Sequence, residues 1–118
     1  MQVLFKSRNI EAFRMRSFAR QRTQFVFRRM AWLVSRATVN LSDINGPRGG
    51  LDKRCQVQVQ ISNANPVVVT SIAKDWRGAL DLALARAVSS IARRRQAHVA
   101  RRRASQREST GAFQPEAI

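Results

Sequence analysis

Acidic side chains are scarce in this chain. Seven Asp and Glu stand against 22 Lys and Arg in 118 residues, a formal net charge of +15. That much charge of one sign repels itself in any compact state and is tolerable when a polyanion neutralises it. Acidic membranes and acidic proteins are also polyanions, but this charge density favours nucleic acid. Cys55 is the only cysteine, which excludes an intramolecular disulfide or a cysteine zinc cluster and fits a reducing cytoplasm. His98 is the only histidine, so a histidine metal site has no second ligand. No apolar run approaches the roughly 20 residues of a membrane span, and no membrane partner is expected. The opening Met1-Gln2-Val3-Leu4-Phe5-Lys6 is too short for the apolar region of a signal peptide. The Arg-rich, acid-poor N-terminus has a transit-peptide composition, but its apolar pattern is needed for a core. Catalytic groupings are missing too. Ser89 and Ser90 lack a nearby base, and the Asp43 and Asp52 pair is crowded by Arg48, Lys53 and Arg54. The expectation is a binding protein, not an enzyme, with no cofactor and no metal.

The bases that are present fall in two blocks. Nine lie between Lys6 and Arg36, beside the single acid Glu11, and ten lie between Lys74 and Arg107, beside Asp75 and Asp81. A hydrophobic fraction of 44% suffices for a real core, and the length suits one domain. Gln2 to Lys6 reads as a strand. Asn9 signals a helix start with Glu11 in its first turn, and helical periodicity runs from Glu11 to about Trp32. Met15, Phe18, Ala19, Val26 and Met30 share a face, with Arg16, Arg20 and Arg28 opposite. Arg22 and Arg29 fall in or beside the apolar arc, so either they snorkel to its edge or that part of the arc is not buried. From Arg36 the period becomes two. Ala37, Val39 and Leu41 alternate with polar neighbours, then Cys55, Val57, Val59 and Ile61 do the same. A turn at Asn63-Ala64-Asn65-Pro66 leads to Val67-Val68-Val69-Thr70. These three suit an antiparallel meander with one polar face. A second helix starts near Asp75, with Trp76, Ala79, Leu80, Ala83, Leu84, Ala87 and Ile91 as its stripe. It can reach about Arg103, although the stripe fades after Ile91. Ser105 to Ile118 reads as a disordered tail.

The order β-α-β-β-β-α predicts an α+β two-layer sandwich, a four-stranded sheet with two helices packed on one face. Residues 1–97 form its domain, and 98–118 are an Arg-rich helix extension and tail. Trp76 lies on the apolar stripe and Trp32 ends the first helix, and both are read as core rather than as base-stacking rings. The outer sheet face carries no aromatic, which argues against an RRM-type platform.

Two segments suit phosphate. The loop Asn45-Gly46-Pro47-Arg48-Gly49-Gly50 holds three glycines that permit close backbone approach, although by composition a plain hairpin connection is favoured. Lys53 and Arg54 at its exit raise the functional reading. Arg93-Arg94-Arg95 is read as a phosphate contact, since guanidinium forks donate bidentate hydrogen bonds. Arg101-Arg102-Arg103 is read as adding only nonspecific attraction.

Three segments resemble the ribosome hibernation-promoting factor and ribosome-associated inhibitor A family, also called sigma-54 modulation proteins. They are the opening Met1 to Glu11, the helix start Asp75-Trp76-Arg77-Gly78-Ala79-Leu80-Asp81-Leu82-Ala83, and the Asn45 to Gly50 loop followed by Asp52-Lys53-Arg54-Cys55. The last matches a subgroup of short members. Arg77 stands where the family's helix signature has an aromatic, and the Ser89-Ser90 pair lies where other members often carry bases. The resemblance covers about residues 1 to 97. It implies binding in the decoding region of the small ribosomal subunit, over the mRNA and tRNA paths, and silencing of idle ribosomes under stress in the cytoplasm. It places ribosomal RNA against Arg22, Arg28 and Arg29 on the first helix and Arg86, Arg93, Arg94 and Arg95 on the second. No dimerisation domain of the long members follows, so the expectation is a monomer off the ribosome that would need a second factor to pair ribosomes. The alternative is a general structured-RNA or nucleoid-type nucleic-acid binder.

Overall fold

A computed structural model describes residues 1–44 and 53–112, with side-chain surroundings up to residue 105. Arg48, Asp52 and the glycines of the loop lie outside the described residues. The strands are β1 (Gln2–Lys6), β2 (Val34–Asp43), β3 (Lys53–Ile61) and β4 (Val67–Ala73). The helices are α1 (Ile10–Arg14), α2 (Arg16–Val26) and α3 (Trp76–Ala112), and a single 3-10 turn spans Arg28–Met30.

The sheet is mixed, in the order β1-β2-β3-β4. β1 runs parallel to β2, while β2–β3 and β3–β4 are antiparallel. The helical connection from β1 to β2 explains the parallel pair, and short returns explain the others. The period-two pattern is realised as expected. Ala37, Val39, Leu41, Cys55, Val57 and Val59 are fully buried against Ala19, Phe27, Leu80 and Leu84 of the helical layer. The opposite face aligns Lys6, Asn40, Gln56 and Thr70 across all four strands. Val68 and Ile72 are its exposed apolar exceptions. The register of β2 shifts between Val34 and Arg36. Val34 can therefore be buried although strict alternation begins only at Arg36.

The first helix departs from its expected course. One continuous run from Glu11 to Trp32 is broken at Met15 and again at Phe27, whose ψ angles of 6° and 9° leave the helical region. Neither break carries Pro or Gly. Burial supplies the reason at the second one, because turning out of the helix at Phe27 puts its ring fully inside. Asn9 caps α1 as expected, its side chain accepting from the Ala12 amide at 3.1 Å.

Trp32 is a second correction. It is 65% exposed rather than core, because the chain has already left the helix and enters β2 two residues later. Trp76, by contrast, is only 8% exposed.

α3 starts on a side-chain cap. Asp75 Oδ1 accepts from the Gly78 amide at 2.6 Å. A Cβ at Gly78 would stand 2.7 Å from that oxygen, so a larger residue there would require the flexible Asp75 carboxylate to shift. The buried Ser71 hydroxyl donates to the Ala79 carbonyl and ties β4 to the same turn. Asp75→Ala should lower stability by about 1 kcal/mol, seen as an earlier urea midpoint with an unchanged slope; an unmoved midpoint would show that the cap contributes nothing.

α3 also outruns its expected end. The stretch from Ser105, read as tail, is helical through Ala112. Although Arg94 and Arg95 reach back to the β3–β4 turn and to Trp32, every residue from Ala92 to Ser105 is exposed, so apolar burial does not hold this part. Its Ala, Arg, Gln and Glu are good helix formers. They extend a helix already nucleated by the packed turns from Trp76 to Ile91.

Candidate nucleic-acid interface

The basic residues of the first helical segment do not form one row. Arg22 is half-buried and reaches α3, its Nε donating to Asp81 Oδ1 at 3.0 Å. Of the two outcomes its position allowed, Arg22 snorkels to the edge of the arc. Arg28 and Arg29 lie on the 3-10 turn and are exposed. Between Arg22 and Arg28 sits Phe25, 59% exposed, with their guanidinium carbons 5.7 and 5.2 Å from its ring centre. An exposed ring flanked by two cations offers a base face and phosphate partners together. Phe25 escaped the sequence reading, although its i±3 spacing from both arginines was visible there.

On α3, Arg86 and Arg93 are exposed and lie two turns apart on one side of the helix. Arg86 also steadies the sheet edge, Nη1 donating to the Thr70 carbonyl of β4 at 2.7 Å. Arg94 has a different task. Its Nη1 and Nη2 donate to the carbonyls of Asn65 and Pro66 at 2.5 and 3.1 Å, clamping the β3–β4 turn. Asn63 in that turn has a φ of 59°, a left-handed conformation that Asn tolerates. Arg95 stacks on Trp32, with its guanidinium carbon 4.7 Å from the ring centre.

Together these residues outline a groove of about 570 Å³. Its walls are Trp32 and Leu33, the turn Ser62-Asn63-Ala64, and α3 from Ile91 to Arg102. At 100° per residue, the direction that Ile91 presents to the core is continued by Arg94, Arg95, His98 and Arg102. The inner stripe of α3 therefore changes from apolar to basic after Ile91, where the sequence shows only a fading pattern.

The residues at the loop exit separate. Lys53 shares the inward parity of Cys55, and its ammonium donates to Asp43 Oδ2 at 2.8 Å and lies 4.9 Å from the Trp76 ring centre. Its charge is engaged within the protein. Arg54 faces the open side of the sheet between Ser42 and Ile72, and its Nε is buried without a hydrogen-bond partner. Arg48 lies outside the described residues. Cys55 is buried, and burial pushes its thiol up to about 12, so it stays protonated near neutrality. Among the described residues, no three His, Cys, Asp or Glu side chains cluster as metal ligands. No described helix is long and apolar enough to cross a membrane.

No known family profile matches the chain, and no curated protein does. Among solved structures, the chain is similar to the Protein Y N-terminal domain of Thermus thermophilus. The identity is 24% and the TM-score 0.59, over 79% of this chain and 98% of that one. The likeness is one of fold.

Proposed function

We propose that this chain is a short member of the hibernation-factor family, binds the small ribosomal subunit in its decoding region, and silences idle ribosomes. The observation that carries the reading is a +15 chain on this fold with exposed arginines on both helical segments. The sequence resemblance supplies the ribosome, and the charge supplies the affinity for ribosomal RNA. Arg28, Arg29, Arg86 and Arg93 are the proposed principal contacts, because their side chains are exposed. Arg22, Arg94 and Arg95 combine RNA contact with the intramolecular bonds described above. Arg54 extends the surface on the loop side and Arg48 is a further proposed contact, while Lys53 serves mainly to hold the end of the sheet. Residues 1–97 form the ribosome-binding part, and residues 98–118 begin inside α3 as its basic continuation. The proposed protein is cytoplasmic, acts in stress and is a monomer off the ribosome.

The mechanism is occlusion. A protein lodged on the mRNA and tRNA paths competes with both and modifies neither. Titration of purified protein into a cell-free translation extract should block synthesis at near one copy per ribosome, with the block reversed by added salt. Co-sedimentation with small subunits in a sucrose gradient should accompany it. Inhibition at a small fraction of the ribosome concentration, with cut ribosomal RNA, would instead mark a nuclease. Equal retention by duplex DNA and by small subunits would mark a general nucleic-acid binder.

A further inference from the structure

We propose that the groove between Trp32, the β3–β4 turn and the inner face of α3 beyond Ile91 is a second RNA site that takes an unpaired strand. Trp32 stacks on a base, and Arg101 and Arg102 meet the phosphates. The assignment of RNA rests on the ribosomal reading above; the chemistry of the groove does not.

Four observations carry it. A large aromatic side chain stands 65% exposed at the groove's edge, where hydration is unfavourable and nothing in the fold needs it. Arg95 packs over the ring, its guanidinium carbon 4.7 Å from the ring centre, so a cation stands beside the indole before any ligand arrives. Arg94 clamps the turn through two carbonyls, so the opposite wall is fixed as well. None of the described lining residues is acidic, while Arg94, Arg95, Arg101 and Arg102 all contribute.

A groove built this way selects its occupant. An apolar protein segment would bury guanidinium groups without partners, which is costly. A duplex hides its base faces inside the stack and gives Trp32 nothing to stack on. An unpaired strand offers base faces and phosphates at once, the combination that aromatic-and-basic channels bind. The exposed turns of α3 lengthen the basic wall along the strand's path.

The test uses the full chain and tryptophan emission. Trp32 is exposed and Trp76 buried, so a ligand stacking in the groove should quench the exposed component. A 12-nucleotide unstructured RNA should quench, and a duplex of equal length should bind more weakly without quenching. Trp32→Leu should abolish the quench and weaken binding by roughly tenfold or more, with an unchanged urea midpoint. The double variant Arg101→Ala, Arg102→Ala should keep the quench at saturation and lower the salt slope by about one per phosphate lost. Wild-type affinity in Trp32→Leu would overturn the proposal, as would equal binding of the duplex. Tighter binding of the matching DNA would overturn the assignment to RNA. Polyglutamate that quenches Trp32 more strongly than RNA would give the groove to an acidic protein. Small-subunit sedimentation run in parallel keeps the two readings apart. Quenching without subunit binding would remove the ribosome and leave the groove; subunit binding with no quenching would do the reverse.

Discussion

Replacing Trp76 by alanine is expected to cost about 3 to 5 kcal/mol of stability, the range for emptying a large aromatic from a core. Trp76 is 8% exposed at the first turn of α3 and belongs to the cluster that joins α3 to the sheet. Its loss would also strip the apolar wall from the Lys53–Asp43 pair, whose side chains are only 17% and 16% exposed. A domain of this size holds roughly 5 to 15 kcal/mol in total, so the variant should unfold at much lower urea or fail to accumulate. The indole nitrogen makes no hydrogen bond, so Trp76→Phe should be far milder. Trp32→Ala is the internal control. At 65% exposure it should shift the midpoint by less than about 1 kcal/mol. Equal losses at the two positions would mean that the core has been misassigned.

The contrast between these two tryptophans shows what the sequence made legible. The strands were readable because their alternation is strict, and residues such as Val57 and Val59 have only one face on which to be buried. The stripe of α3 was readable for the same reason as far as Ile91. Trp32 was misread because it follows an amphipathic run, and hydrophobicity alone counted it inward. The turn at Phe27 that ends the run has no Pro or Gly to announce it; it is a tertiary choice that seats a ring. Lys53 stands at the loop exit in the sequence, and its parity with Cys55 turns it toward the Asp43 carboxylate. The basic groove could not be read at all. It depends on Arg94, Arg95 and Arg102 facing a turn some thirty residues away in sequence, and only the packing of α3 on the sheet brings them together.

The second large effect expected is on salt dependence. Each phosphate that an arginine neutralises releases condensed counterions, so the logarithm of affinity falls linearly with the logarithm of salt. The exposed arginines on the 3-10 turn and on α3 are numerous enough for six or more such contacts. Affinity for small subunits should then drop by roughly a thousandfold between 50 and 200 mM salt. Arg86→Ala with Arg93→Ala should lower the slope by about two. Stability should change little, since both side chains are exposed and only Arg86 bonds elsewhere, to the Thr70 carbonyl. Arg93→Ala alone should therefore change the slope by about one with no effect on unfolding. Arg48→Ala should weaken binding, whereas truncation at Gly111 should not, because the arginines of the interface all precede it. If Arg86 and Arg93 can be removed with the slope intact, the outer face of α3 does not meet phosphate. The charge on the inner face, around Trp32, would then have to carry the binding.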